Sequence, residues 1–556
     1  MKMLAGGRSY RAVMTMATVV SACWWAGTAQ AYKFDTDPDW AVNFDNNIQY
    51  SVGWRTKDVD SKAGNMLGSS QGDYKFPKKG DMITNRISDF IEVQGVYKKD
   101  MGFRVTGSIW QDFAYSDEAK INPALAAMNA YPSGRFSTYT KRFYIKGSEF
   151  LDYFGFLNTK VGESQTPVQL KVGSLSQYWG NSFFFPFTNI AYSQHPIDFV
   201  KSFAQPGSEV KELFLPRRQI LLSTQLTPEL SLTGQYFLEF KPNRYPEGGT
   251  YFGFVDMLFS GPPGTGPLAF ISPINDNLIK PKDNNGNYGI KVGWSPEWAN
   301  ADMGFYYRQF DDTDPWLLSV SPSTGHIQNT FAQKAKLVGF SLEKSFGLIS
   351  TGLEISKRIG TALNSNVVGV PTNVGATGDL TNVIANTFIQ LGKTPLWDAG
   401  ILLAEISFTH LNQVTHNAQF YKGVGYAGCP AGGSWKDGCS TKNTTAFAML
   451  FSPQWLQVFP GVDLSMPFNL QAGIKGVGAH STGTFFPEGE VITSLGIKAN
   501  YLSVHSVSLT YSHYHWRPKG TGDNGLGAGM QAYTGGAGPV MLNDRDWLQL
   551  QFKTSF

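Results

Sequence analysis

Hydrophobic and polar side chains alternate one for one over long stretches of the chain. In NIQYSVGWRT, Ile48, Tyr50, Val52 and Trp54 alternate with Gln49, Ser51, Gly53 and Arg55, and in NYGIKVGW, Tyr288, Ile290, Val292 and Trp294 oppose Gly289, Lys291 and Gly293. VITSLGIKANY repeats the pattern from Val491 to Tyr501. A period of two belongs to the extended strand, whose successive side chains point to opposite faces. The segments run to about ten residues, the length with which a tilted strand crosses a bilayer.

The spacing between segments adds a second periodicity. Strands expected at 83–97 and 102–115, 217–226 and 229–240, 288–296 and 302–311, 332–345 and 348–358, 384–393 and 399–411, and 490–501 and 504–515 form close pairs. Between the pairs lie long connections, at 57–82, 116–135, 176–216, 241–286, 312–330, 359–383, 412–443 and 517–544. Short turns alternating with long loops are the signature of an outer-membrane barrel, and a soluble sandwich has no reason to keep it. The expected fold is all-β: an antiparallel transmembrane β-barrel of about 18 strands, with a folded-in loop or plug. Fourteen to 18 strands are possible, because 148–166 and 454–476 divide in more than one way.

At the C-terminus, DWLQLQFKTSF places Leu548, Leu550, Phe552, Thr554 and Phe556 on one face of a strand and Gln549, Gln551, Lys553 and Ser555 on the other. Pairing of this strand with the one near 47–56 would close the barrel and remove its last open edge. Trp54, Trp294, Trp516 and Trp547 stand at strand ends, where interfacial aromatic girdles would place them. On the polar faces sit Arg55, Arg86, Glu92, Arg104, Asp112, Glu239, Lys291, Arg308, Glu343, Glu354, Glu405 and Lys498. Charges of both signs on one face require water or partners, which makes that face the lumen.

Composition supports this picture and narrows it. Gly, at 60 of 556 residues, exceeds the usual ~7%, as many strands joined by many turns require. The 42% hydrophobic fraction comes with no stretch of ~20 apolar residues after residue 31, which excludes a helical membrane protein. Residues 1–31 read as a signal peptide: Lys2, Arg8 and Arg11 precede an apolar stretch, and AQA at 29–31 offers a small-residue cleavage site. A competing reading takes VSAC at 20–23 as a lipoprotein box that retains Cys23. Cleavage after Ala31 removes three of the 46 basic residues and none of the 43 acidic ones, leaving zero net charge. That balance points away from nucleic acid. Cys429 and Cys439 remain, an even pair that predicts one disulfide across CPAGGSWKDGC in an exported chain.

Several strings imitate catalytic or cofactor motifs, and none fits its context. AHSTG at 479–483 resembles a nucleophile elbow on Ser481 but lies between β-segments. GVGYAG at 423–428 has no helix after it, and GPPGTG at 261–266 lacks the Lys of a phosphate loop. DNNGN at 283–287 lacks the Gly and Glu of a calcium loop. His513 and His515 have no third ligand nearby in sequence. No catalytic, cofactor-binding or metal site is therefore expected, and the chain does not read as an enzyme. The long loops are more informative, because INPALAAMNAYP (121–132), NSFFFPFTNIAY (181–192) and TYFGFVDMLFSGPPGTGPLAFISP (250–273) are apolar where loops facing water should be polar. Either they fold into the barrel or they collect a hydrophobic ligand.

VGSLSQYWGNSFFFPFTNIAYSQHPIDFVK, followed by PGSEVKELFLPRRQ, resembles a large family of Gram-negative outer-membrane proteins known as domain of unknown function 1302. The resemblance runs from YKFDTD at the mature start, through FPKKGDMITNRISDFIEVQGVYKKDMGFRVTGSIWQDFAYSD, to the terminal Phe. The family pattern G-R-Q-x-x-x-W-G-E-S is matched at Gly173, Gln177, Trp179, Gly180 and Ser182, while Ser174 and Leu175 replace the Arg-Gln and Asn181 replaces the Glu. The resemblance implies an outer-membrane barrel that accompanies a lipoprotein and an exporter, in settings of lipid, steroid or aromatic metabolism. Within it, 195–201 and 211–216 are expected to fix the lumen, with Asp198, Glu209 or Glu212 pairing to Arg217 or Arg218. Trp179, Asn181, Arg55, Arg104, Lys291 and Arg308 complete the expected lumen and constriction set, and Phe556 resembles the signal read by the barrel-assembly machinery. The expected function is a channel or transporter for small hydrophobic or amphipathic molecules, embedded in outer-membrane lipids. The alternative is a non-conducting subunit that docks a lipoprotein and an inner-membrane exporter.

Overall fold

The alternating segments are strands of one antiparallel sheet that curls until its last strand pairs with its first. A computed structural model describes residues 32–34, 37–66, 71–128, 134–204, 210–254, 278–320, 327–366, 374–481, 486–525 and 529–556. Residues 1–31, expected to be a signal peptide, and Glu209 lie outside the described residues.

The wall begins with β1 (Trp40–Arg55), β2 (Met82–Tyr97), β3 (Met101–Asp112), β4 (Lys146–Val161), β5 (Thr166–Leu175) and β6 (Arg217–Gln225). It continues through β7 (Leu230–Phe237), β8 (Tyr288–Trp294), β9 (Asp302–Phe310), β10 (Ala335–Phe346), β11 (Ile349–Ala362) and β12 (Thr377–Leu391). The circuit ends with β13 (Ala399–His416), β14 (Asn443–Phe459), β15 (Val462–Ser465 and Phe468–Lys475), β16 (Val491–Tyr501), β17 (His505–His515) and β18 (Trp547–Ser555). Twenty strand segments share the sheet. One is the short Tyr32–Phe34 and two are the halves of β15, which leaves 18 crossings. Closure runs from Asn47↔Ser555 to Arg55↔Trp547, so no edge of the sheet is left open.

Both segments that the sequence left ambiguous have a local explanation. The stretch 148–166 divides at a turn with Gly162 and Gln165 at positive φ, between β4 and β5. In 454–476 the strand β15 breaks at Met466 and Pro467, because proline has no N–H to give the ladder.

Burial follows the pleat. Ile109, Phe150, Leu222, Ile290, Val338, Ile406 and Ile497 are exposed on the outer face, whereas Arg308, Arg358, Glu354 and Glu405 are buried on the inner one. At the tight-turn end, Trp40 packs on Tyr97 at 5.3 Å between ring centroids, Trp294 on Trp298 at 6.2 Å and Trp397 on Phe451 at 5.7 Å. Trp294 thus joins an aromatic rim, as expected. Trp516 and Trp547 do not, being 3% and 1% exposed in a core with Tyr251, Phe252 and Tyr514. Their strand ends meet long loops folded over the mouth, which take these rings out of the membrane interface. Cys429 and Cys439 form the expected disulfide in the loop after β13.

Candidate functional site

The connection from β5 to β6, in its described residues 176–204 and 210–216, enters the barrel, and the wall is built to receive it. Trp179 is fully buried and leans on Tyr306 of β9, with ring centroids 6.0 Å apart. Gly289 on β8 makes room: a Cβ there would lie 2.7 Å from the Trp179 ring. Gly180 takes φ +92°, and a Cβ on it would run into the Glu354 carboxylate.

From there the chain turns so that consecutive N–H groups point at the wall. Inside a barrel those donors need acceptors, since an unpaired buried N–H is costly. Glu354 of β11 accepts from the backbone N–H of Asn181, from Ser182 at 2.9 Å and from Ile190 at 2.9 Å. Glu405 of β13 accepts from Ser182 Oγ at 2.8 Å and from the N–H groups of Phe183, Phe184 and Phe185 at 2.6, 3.0 and 3.2 Å. Two carboxylates therefore hold one apolar loop by its backbone, leaving its phenylalanine rings available for other contacts. Asn386 Nδ2 donates to the Asn181 carbonyl at 2.8 Å, and Asn181 Nδ2 donates to the Leu342 carbonyl at 3.0 Å. Asn181, which stands where the family pattern has Glu, thus uses its side-chain amide as a donor and its backbone carbonyl as an acceptor.

The opposite wall grips carbonyls. Arg308 donates to the carbonyls of Ile190 at 2.9 Å and Tyr192 at 2.7 Å. Arg217 donates to the carbonyls of Ser193 at 3.3 Å and Glu239 at 2.8 Å.

Of the expected pairing of Asp198, Glu209 or Glu212 with Arg217 or Arg218, the Asp198 part is corrected here. Asp198 pairs with Arg244 at 2.7 Å, and Arg244 also holds Glu149 at 2.8 Å, because the loop after β7 folds back over the inserted one. Arg218 is half exposed and faces Asp283 at 3.3 Å. Glu212 is buried. Arg55 pairs with Asp544 at 2.8 Å and donates to the carbonyls of Lys57 and Phe76, tying loops together at the mouth rather than lining a constriction. Arg104 forms a wall ion pair with Glu92 at 2.7 Å. Lys291 lies 5.7 Å from the Tyr306 ring, in reach of the loop's base. Glu354 and Glu405 were legible as lumen-facing; what they hold was not. Arg244 and Asn386 carried no sequence signal.

Beside the loop lies a cavity of about 270 Å³ whose lining includes Tyr178, Phe183, Phe184, Phe185, Phe187, Tyr192, Phe199 and Phe214, with Asn189, His195, Asn243 and Asp314 as polar members. The His195 ring packs on Phe214 at 3.7 Å, and burial pushes its pKa down to about 3, so it is neutral at ordinary pH. At the tight-turn end lies a space of about 790 Å³ whose lining includes Asn158, Gln169, Ser223, Ser231 and Thr233 beside Leu157, Pro167 and Val168.

The imitated nucleophile elbow lies in the loop before β16, where His480 stacks on Phe187 at 5.7 Å and Ser481 is buried. Among the described residues no three His, Cys, Asp or Glu side chains gather as metal ligands.

A family model described as "Protein of unknown function (DUF1302)" matches residues 12–556. A comparison with curated proteins gives no match. Among solved structures, the outer membrane channel DcaP of Acinetobacter baumannii matches with a TM-score of 0.37 and 9% identity, over 94% of this chain and 99% of its own. Pseudomonas aeruginosa OpdK, solved with vanillate, gives 0.42 and 8% over 92% and 98%. Acinetobacter baumannii OccAB2 gives 0.44 and 10% over 93% and 98%.

Proposed function

The chain belongs to the DUF1302 family, and from that premise we propose that it is an outer-membrane channel of a Gram-negative bacterium for small hydrophobic or amphipathic molecules of lipid, steroid or aromatic type. The observation that carries this reading is the aromatic cavity, built by a loop that the wall holds in the lumen. An apolar molecule crosses a wet pore slowly unless something offsets its exposure to water, and stacked rings provide that contact. The inserted loop narrows the path and supplies the rings.

The apolar outer face meets outer-membrane lipid, and the C-terminal strand with Phe556 is read by the assembly machinery. The segment 1–31 serves as the export signal. Residues 181–192 are the gate. Their deletion should raise single-channel conductance in a planar bilayer and change uptake of an apolar tracer; no change in either rejects the gate.

A second reading is a non-conducting subunit that docks a lipoprotein and an inner-membrane exporter. It draws on the dense aromatic packing under the mouth. A purified barrel that carries no current at any voltage, yet is pulled down with such partners, would favour it over the channel.

A further inference from the structure

The hydrogen-bonding groups around the aromatic cavity are unevenly divided between donors and acceptors. Tyr178 Oη donates to the Ser182 carbonyl at 2.6 Å, and Asn189 Nδ2 donates to Tyr178 at 3.1 Å. Asn243 Nδ2 donates to Asp314 Oδ1 at 2.6 Å, where Tyr245 also donates. The His195 Nδ1–H faces the Gln177 carbonyl at 3.3 Å; a carbonyl can only accept, so Nε2 of the neutral ring is a bare acceptor. The amides of Phe183, Phe184 and Phe185 are taken by Glu405.

Tyr192 Oη is left without a hydrogen-bond partner among the described residues and can donate or accept; the other groups left over are acceptors. Asn189, 3% exposed, keeps Oδ1 without a partner among the described residues, and Asp314, 0% exposed, keeps Oδ2. Among the described residues no Lys or Arg lines the cavity. Behind the wall, the Arg358 guanidinium lies 4.0 Å from the Tyr192 ring and faces Asp312 and Asp314, while Arg308 and Arg217 act on His195 from their own strands. Ser202 and Gln471 can serve either role. A buried acceptor without a donor costs free energy, and a ligand that supplies the donor recovers it. A carboxylate in the same place would face acceptors and the Asp314 charge with no cation on the wall.

Resting on the channel reading above, we infer that the cavity selects an aromatic molecule that carries a hydrogen-bond donor, of phenol or benzylamine type, and rejects benzoate-type carboxylates. The volume suits a body of one or two rings, since an apolar cavity of about 150 Å³ already admits benzene. The donor meets Asn189 Oδ1, Asp314 Oδ2 or His195 Nε2, and the ring lies among the phenylalanines.

The test is titration calorimetry of the purified barrel in detergent with phenol, benzylamine and benzoate. Phenol and benzylamine should bind at least about tenfold more tightly than benzoate. Asp314→Asn removes the charge and offers an N–H in place of Oδ2, so it should narrow that gap by admitting benzoate, while Asn189→Leu should weaken phenol. Equal or tighter binding of benzoate by the unaltered protein overturns the proposal, and this arm needs no variant to fold. So does an unchanged gap in folded Asp314→Asn. Conductance without binding of any of the three probes sinks the cavity assignment and leaves the channel standing. Binding with no conductance does the reverse.

Discussion

The Glu405 carboxylate on β13 accepts the backbone N–H of Phe183 at 2.6 Å, across 222 residues of sequence. The same carboxylate takes the next two amides and the Ser182 hydroxyl, so one side chain fixes a whole turn in the lumen.

Glu405→Ala should free that turn. Each buried N–H left without an acceptor costs about 1–3 kcal/mol, so the loop should leave the wall rather than stay unpaired. Single-channel recordings should show higher and noisier conductance, and the melting temperature should fall. Glu405→Gln keeps a carbonyl acceptor and should lie between the two. Unaltered conductance in Glu405→Ala would mean that the turn does not limit flow.

Gly180→Ala should act in the same direction by another route. A side chain at φ +92° is strained by roughly 1–2 kcal/mol, and its Cβ would also collide with Glu354. Because Glu354→Ala removes the obstacle, the double variant should lose less stability than the sum of the two singles. Strict additivity in urea unfolding would refute the contact.

Above neutral pH the mouth should loosen through Glu490, in the loop before β16. Burial raises its pKa to about 8, and Trp516 Nε1 donates to Oε2 at 2.9 Å. A carboxyl raised above its unfolded value of about 4.3 contributes stability that is complete below that value and lost as pH rises through about 8. Melting temperature should therefore decline between pH 5 and 9 by more in the unaltered protein than in Glu490→Gln, which cannot ionise. Parallel profiles would remove Glu490 from this role.

Deletion of Phe556 should reduce folded barrel in the outer membrane. Its backbone makes the last rung of the closing seam, donating to the Asn46 carbonyl at 2.8 Å and accepting from Asn46 N–H at 3.1 Å. Loss of the seam and loss of the assembly signal separate in vitro. A purified chain without Phe556 should refold in detergent with a small loss of stability, while its yield in the membrane drops further. Normal membrane yield would count against the signal.

The alternation of Ile48, Tyr50, Val52 and Trp54, or of Leu548 and Leu550, determined strand, face and membrane on its own, because side-chain direction in a strand is a local property of period two. The same pattern placed Glu354, Glu405 and Arg308 on the inner wall, and the even pair of cysteines predicted its own bond. The girdle expectation misplaced Trp516, which lies past the end of β17, and Trp547, which shares the inner face of Gln549 and Gln551; both are buried. The resemblance already pointed to the 176–216 connection as the one that fixes the lumen; tertiary structure alone decided what holds it there. Ser182 meets Glu354 across 172 residues, and Asp198 meets Arg244 rather than its sequence neighbours Arg217 and Arg218, because loop packing is set by backbone donors and acceptors that no side-chain pattern displays. The uneven division of donors and acceptors around the aromatic cavity arises at the same level. It exists only after every other hydrogen bond of the folded loop has been made.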